Sequence, residues 1–220
     1  MPALQRSHPA VVHPVRSGRT QPTGSAGYGG AVPLLGPSDP LPCRPTRVLV
    51  AGTSGAGKTT VAARIGDVLG VPHVELDALF HGAGWVPRPT FEADVRRLAA
   101  SPCWVTEWQY ETARPLLAER ADLVVWLDLP RAQVMTQVVR RTVRRRLRRE
   151  QLWHGNVEAP LRTVLTDPGH IVRWAWRTHP GTAPRVRELQ AHRPQLPVVR
   201  LTGRGAADDW LDGPLARYAA

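Results

Sequence analysis

Lysine is almost missing from this chain. Of its 29 lysine and arginine residues, only Lys58 is a lysine. Cysteine is nearly as scarce: Cys43 and Cys103 stand far apart, which excludes a disulfide framework and a cysteine zinc site and makes a reducing cytoplasm the expected location. No apolar run approaches the roughly 18 residues that a membrane span requires. The N-terminus lacks the apolar core of a secretory signal. It shares the Arg-rich, acid-poor character of transit peptides without an amphipathic face. The histidines show no metal-ligand spacing. No internal repeat is visible, and at 220 residues one domain is expected, on a prior of roughly 150 residues per domain.

What the chain does have is centred on residue 50. The apolar, β-prone run Thr46-Arg47-Val48-Leu49-Val50-Ala51 leads into Gly52-Thr53-Ser54-Gly55-Ala56-Gly57-Lys58-Thr59-Thr60. A helical pattern follows, with Val61, Ile65, Val68 and Leu69 on one face. The loop reads G-x-x-x-x-G-K-T between strand and helix, the pattern of a phosphate-binding loop. Gly52, Gly55 and Gly57 let backbone N–H groups turn inward onto phosphate oxygens. The helix beginning near Lys58 adds the positive end of its dipole. Lys58 can reach the β- and γ-phosphates of ATP, and the Thr59 hydroxyl can ligate Mg²⁺. Gly52 through Thr60 is therefore the expected nucleotide site. That a chain so biased to arginine keeps its one lysine here fits a compact ammonium among phosphates, a place a planar guanidinium fills poorly.

The net charge of +11 is not spread evenly. Residues 1–45 carry +3, and the run 140–149, with seven arginines, carries +7. The rest of the chain is close to neutral.

Residues 1–45 are rich in Pro, Gly, Ser and Thr and read as a disordered leader, with the folded domain over 46–220. After the loop helix (58–70), a second strand is expected to end at Asp77. A loop over 78–90 carries Phe80 and Trp85. Thr90 then caps a helix through Ala99. A third strand covers 103–107, a helix 111–119, and a continuously apolar fourth strand 122–128, of the kind buried on both faces of a parallel sheet. Helix resumes over 131–150. One or two helices lie within 157–194, a fifth strand spans 197–201, and a closing helix covers 208–218, interrupted by Gly213-Pro214. Strands alternating with helices predict a five-stranded parallel α/β sheet of the P-loop NTPase type, with helices on both faces.

In such a sheet, ligands bind beyond the C-terminal strand ends. Asp77, Glu107 and Asp128 are expected there. Asp128 reads as a Mg²⁺ ligand beside Thr59, or as a cap on the next helix. Asp77 reads as a general base, a partner of a substrate hydroxyl or a holder of Mg²⁺-bound water, or as a turn residue. Glu107 reads as a base or acceptor-orienting group, or as half of a surface ion pair. Arg141, Arg145 and Arg149 share one helix face, and Arg140, Arg144 and Arg148 the next. They read as a lid on polyphosphate, a contact to nucleic-acid phosphates, or a solvated basic face. Trp85, Trp153, Trp174 and Trp176 are candidates for stacking on a planar substrate or for packing.

The run G-T-S-G-A-G-K-T-T, then V-E-L-D-A-L-F-H-x-x-G-W, W-V-T-E-W-Q-Y, V-V-W-L-D-L-P-R, the Arg-rich helix and L-W-H-G-N-V-E resembles the adenylate-kinase-related P-loop proteins known as DNA topology modulation proteins, over about residues 46–210. The resemblance implies a nucleotide-kinase-like fold with an Arg-rich helical lid over about 140–158. It also implies ATP and Mg²⁺ at Gly52–Thr60, lid arginines from 140–149, Asp77 on the acceptor or magnesium side, and Thr202–Gly205 near the adenine. Where those relatives carry D-G-N-Y, this chain has Glu107-Trp108-Gln109-Tyr110, so the acceptor differs in what it meets there.

The expectation is an ATP-binding kinase acting on a small-molecule or nucleotide acceptor. Lys58, Asp77, Glu107, Arg141 and Arg145 do the chemistry. Contact with nucleic acid is a less favoured alternative, as is a nucleotide-dependent switch with little turnover. No membrane partner is expected, and the sequence leaves the oligomeric state open.

Overall fold

Six strands, all parallel, form one sheet in the computed structural model, which describes residues 34–220 apart from Leu165, Pro168 and Arg204. They are β1 (Leu34–Leu35), β2 (Arg47–Gly52), β3 (His73–Val74), β4 (Trp104–Glu107), β5 (Leu123–Leu127) and β6 (Val198–Leu201), in spatial order β1-β6-β5-β2-β4-β3. The strand leading into the glycine loop is central. From it the chain goes first to β3 and β4 on one side, then to β5 and β6 on the other, so a crevice opens beyond the C-terminal end of β2.

The continuous apolar runs of β2 and β5 are explained by burial on both faces. Alternation along each strand divides their side chains between two cores. Val48, Val50, Val125 and Leu127 face one core, Leu49, Ala51, Val124 and Trp126 the other. The first core is closed by α1 (Lys58–Leu69), α5 (Arg131–Leu147), α6 (Ile171–Thr178) and α8 (Ala206–Trp210). The second is closed by α2 (Leu76–Phe80), α3 (Phe91–Ala100), α4 (Ala113–Arg120) and α7 (Thr182–His192). No helix among the described residues is long and apolar enough to cross a membrane.

The sheet corrects the expected five strands to six. β1 pairs Leu34 with Val198 and Leu35 with Val199, at an edge that the sequence placed inside the leader. Two residues are too few to show a period. Residues 1–33 of that leader lie outside the described residues. Its last part is built into the domain: Leu41 is buried, its carbonyl accepts the Tyr218 hydroxyl at 3.0 Å, and Arg44 donates to the Leu69 carbonyl.

The second expected strand is also shorter. It stops at Val74, and Asp77 lies in the short helix α2, not at a strand end. A buried carboxylate from the neighbouring strand explains this, because Glu107 Oε2 accepts the N–H of Leu76, the first residue of α2. The long basic helix ends at Leu147 rather than near residue 150, and Arg149 turns the chain with φ of 49°.

Candidate active site

The loop between β2 and α1 has the geometry its glycines imply. Gly55 and Gly57 adopt φ of 86° and 91°, a region L-residues avoid. A Cβ on Gly52 would lie 3.2 Å from both Ala56 Cβ and Leu127 Cβ. The turn is closed by the Ala56 N–H donating to the Thr53 carbonyl at 3.0 Å. Thr53 Oγ1 lies 3.2 Å from Thr182 Oγ1, which ties the loop to the first residue of α7. Ser54 is partly buried, whereas Thr59 and Thr60 are exposed.

Lys58 is buried, at 9% exposure, and among the described residues its Nζ makes one hydrogen bond, a long one of 3.4 Å to the Thr53 carbonyl. Burial pushes its pKa below the ordinary lysine value; the nearby Asp77 and Glu107 carboxylates oppose this, and the Arg141 guanidinium adds to it. A buried ammonium without a bonded counter-charge beside a cradle of N–H groups fits a bound polyphosphate.

Glu107 and Asp77 converge on this lysine but differ in their freedom. Glu107 shares the face of β4 that carries Val105, toward α1. It is 2% exposed, with His73 Nε2 at 3.3 Å from Oε1 and the Leu76 N–H at 3.1 Å from Oε2. Burial alone would raise its pKa, but these hydrogen bonds outweigh burial and hold it below the usual carboxylate range. Both oxygens are thus engaged, and the group positions β3 and α2. Asp77 is partly open. Its Oδ1 accepts from Gln109 Nε2 at 2.6 Å and from the Tyr110 hydroxyl at 2.5 Å. Tyr110 has φ of 60° and its ring stacks on Phe80 at 4.1 Å. Burial, then the Asp77 charge, raises the Tyr110 pKa, so the phenol remains a donor.

Asp128 follows β5 as expected, but it is taken up elsewhere. Its Oδ2 accepts from Arg200 Nε at 2.7 Å and Nη2 at 2.5 Å, and that guanidinium lies 5.0 Å from the Trp126 ring. Asp128 follows directly on β5, whose Val124 and Trp126 face the α3/α4/α7 core while Val125 and Leu127 face the core that α1 closes. Among the described residues no three His, Cys, Asp or Glu side chains form a metal-binding group.

The basic helix divides as its periodicity suggests. Arg140, Arg144, Arg146, Arg148 and Arg149 are exposed, while Arg141 and Arg145 are partly buried. Arg145 is ion-paired within the fold. Its Nη1 donates to Glu158 Oε1 at 2.8 Å and its Nε lies 3.5 Å from Glu150. Arg141 makes no ion pair among the described residues, and its Nε, like that of Arg145, is buried without a hydrogen-bond partner there. Burial, then Arg145, lowers its pKa, against the pull of Glu158 and Asp77.

Beside α2 the structure brings Glu75 and Asn156, which the sequence did not single out, together with the stacking or packing candidates Trp85 and Trp153. Trp153 Nε1 donates to Glu75 Oε2 at 2.9 Å, and its ring lies parallel to His81 at 6.1 Å. Asn156, 6% exposed, accepts the Trp85 N–H at 3.2 Å and donates to the Gly82 carbonyl at 2.9 Å. Trp85 and Trp153 thus belong to the site region. Trp174 and Trp176 are exposed beside Arg177 and Arg131. Of the segment expected near adenine, Arg204 lies outside the described residues. The Gly-rich turns at 82–85 and 154–156, the second carrying Asn156, were the available signal; their pairing across some 70 residues has no local trace.

No protein-family model matches the chain, and no curated protein matches it either. Its likeness is to solved structures. A shikimate kinase from Acinetobacter baumannii in complex with shikimate aligns with 19% identity and a TM-score of 0.51, covering 76% of this chain and 89% of that one. A gluconokinase from Sinorhizobium meliloti 1021 aligns with 21% identity and a TM-score of 0.47, over 80% and 94% of the two chains. A sugar kinase from a Janibacter species aligns at 18% identity and a TM-score of 0.43, over 82% and 91%. The parallel sheet, the loop between β2 and α1 and the first of these alignments together establish the P-loop kinase fold.

Proposed function

We propose that this chain is a kinase that transfers the γ-phosphoryl group of ATP to a hydroxyl of a small acceptor, seated beside Asp77. The observation that carries this reading is the buried Lys58 ammonium, with Asp77 and Arg141 close enough to shift its titration and no bonded counter-ion of its own. A site for phosphoryl transfer needs concentrated positive charge where charge develops, with a carboxylate near the nucleophile. The shared fold with a shikimate kinase supports a small acceptor at the level of fold.

In this reading, the backbone N–H groups of Gly52–Thr60 hold the phosphates. Lys58 neutralises charge on the transferring group, and Arg141 reaches the same group from α5. The Thr59 hydroxyl would hold Mg²⁺, which would supply further neutralisation of charge on the phosphates. Asp77, with one oxygen fixed by Gln109 and Tyr110, accepts the acceptor's hydroxyl proton on the other. Glu107 holds α2, and so Asp77, in place.

The test is Mg²⁺-dependent ADP formation with a panel of nucleosides, nucleoside monophosphates and hydroxylated metabolites, with DNA in a separate arm. Stimulation by one small acceptor, lost in Lys58→Ala, upholds the reading. Five exposed arginines on and after α5 support a second one, in which the chain binds a nucleic-acid backbone; the narrower resemblance to DNA topology modulation proteins belongs with it. Stimulation by DNA alone, falling steeply with salt, favours that second reading.

A further inference from the structure

The chain between α5 and α6 touches both halves of the proposed site. On the acceptor side, Asn156 bridges to Trp85 and Gly82, Trp153 holds Glu75, and Trp85 Nε1 donates to the Val157 carbonyl at 3.4 Å. Two residues beyond Asn156, buried Glu158 accepts from Arg145, and its carbonyl accepts from Arg146 Nη1 at 3.4 Å. Arg141 lies one helical turn before Arg145 on the same face of α5. Its Nε, like that of Arg145, and the second oxygen of Glu158 are buried with no hydrogen-bond partner among the described residues.

The acceptor loop is itself held under strain. It is closed by the Gly82 N–H to the Val86 carbonyl at 2.7 Å and the Arg88 N–H to the Phe80 carbonyl at 2.8 Å. At its tip Trp85 adopts φ of 63°, and in the facing turn His154 adopts φ of 56°. Large side chains at positive φ are disfavoured and persist where surrounding contacts enforce them. Asn156 provides that enforcement, as it occupies the very N–H of Trp85.

Resting on the kinase reading above, we propose that Asn156 and Glu158 are positioning residues that couple the acceptor loop at 82–86 to Arg141, so that occupancy of the phosphate loop and seating of the acceptor reinforce each other. A nucleotide that draws Arg141 toward its phosphates shifts the α5 arginines against Glu158. Glu158 and Asn156 lie on one short segment, so this order passes to the acceptor loop. Such coupling is reciprocal: an acceptor that orders the loop also sets Arg141. Asn suits the position because its amide donates to one backbone group and accepts from another, which neither Ala nor Asp can do.

The test is hydrogen exchange at the amides of residues 82–86 with and without the non-hydrolysable nucleotide AMP-PNP and Mg²⁺, in the wild type, Asn156→Ala and Glu158→Gln. In the wild type, nucleotide should slow exchange there by at least about fivefold, the low end of ordinary couplings. In both variants that transfer should fall below about twofold, with the AMP-PNP Kd within about twofold of wild type. A merely structural role would speed exchange without nucleotide and leave the nucleotide-induced change intact, and that result overturns the proposal. So does absence of nucleotide-induced protection in the wild type. If Asn156→Ala does not fold, Glu158→Gln, which preserves shape, decides alone. Failure of AMP-PNP to bind the wild type is a separate outcome: it sinks the kinase reading, and the coupling with it.

Discussion

Val138 of α5 sits over Gly55 of the phosphate loop: a Cβ on that glycine would fall 2.0 Å from Val138 Cγ2. The Arg-rich helix is thereby registered against the loop between β2 and α1 by a contact between an apolar side chain and a bare backbone. Gly55→Ala meets both this clash and its φ of 86°. Overpacking costs about 1–3 kcal/mol and the left-handed backbone about 1–2 more. Thermal unfolding should show a drop of at least about 4 °C, at roughly 2–4 °C per kcal/mol for a domain of this size. Adding Val138→Ala removes the clash but not the backbone strain, so ATP binding, followed by calorimetry, should remain impaired in the double variant.

Lys58 sets activity against stability. Its buried ammonium has one long hydrogen bond, so Lys58→Met should leave the folded state as stable as the wild type or raise its melting temperature by a few degrees. The same change should lower ATP turnover by about 10²–10³-fold, the usual loss for one charge-stabilising donor. Lys58→Arg should not rescue turnover, because the cradle suits a compact cation.

Asp77 should be sensitive to its two donors as well as to its own removal. Asp77→Asn abolishes the proposed base and should lower kcat by about 10²–10⁴-fold. Tyr110→Phe removes the 2.5 Å hydrogen bond but keeps the ring on Phe80. It should reduce kcat by a smaller factor, about tenfold, with ATP affinity unchanged. Equal losses in ATP affinity and kcat would count against a role at the acceptor end.

Thr59 and Asp128 separate the expected metal ligands. Asp128 is paired with Arg200, both partly exposed. Asp128→Asn should change the Mg²⁺ concentration for half-maximal turnover by less than about threefold and stability by about 0–1 kcal/mol, as for exposed pairs. Thr59→Val should raise the Mg²⁺ requirement severalfold. Mg²⁺ titrations of both variants, read as ADP formation, check this.

Glu107 gives a stability prediction in acid. Its folded pKa lies below the ordinary value, so the ionised form is favoured by folding. Its contribution is complete above the unfolded pKa and is lost as pH falls through the folded one. Wild-type stability should therefore decline below about pH 4.5, the ordinary range for Glu. Glu107→Gln should be less stable at neutral pH, by about 1–3 kcal/mol for the hydrogen bonds to His73 and Leu76, and its stability should depend less on pH in that window. Urea unfolding at pH 7 and pH 4 in both proteins measures the difference.

The phosphate loop and the burial of β2 and β5 were legible because each is written in consecutive residues. Glycines at fixed offsets and unbroken apolar runs need no distant partner to be read. The fates of the charged residues were not legible in this way. Nothing near Asp128 in the sequence points to Arg200, nothing near Arg145 to Glu158, and nothing near Glu107 to His73 and the Leu76 N–H. The edge strand β1 was hidden within a Pro- and Gly-rich segment, since two residues carry no period.

The sequence by itself determined the strand–loop–helix that would hold phosphate and the alternation of strands with helices. Both follow from local backbone geometry and the period of apolar residues. Tertiary structure alone decided which carboxylates and arginines remain open for chemistry and which are used in building the fold. That choice depends on partners 13 to 78 residues away in the chain, Arg145 with Glu158 and Glu75 with Trp153. A charge is spent or free according to what folding brings within about 3 Å of it.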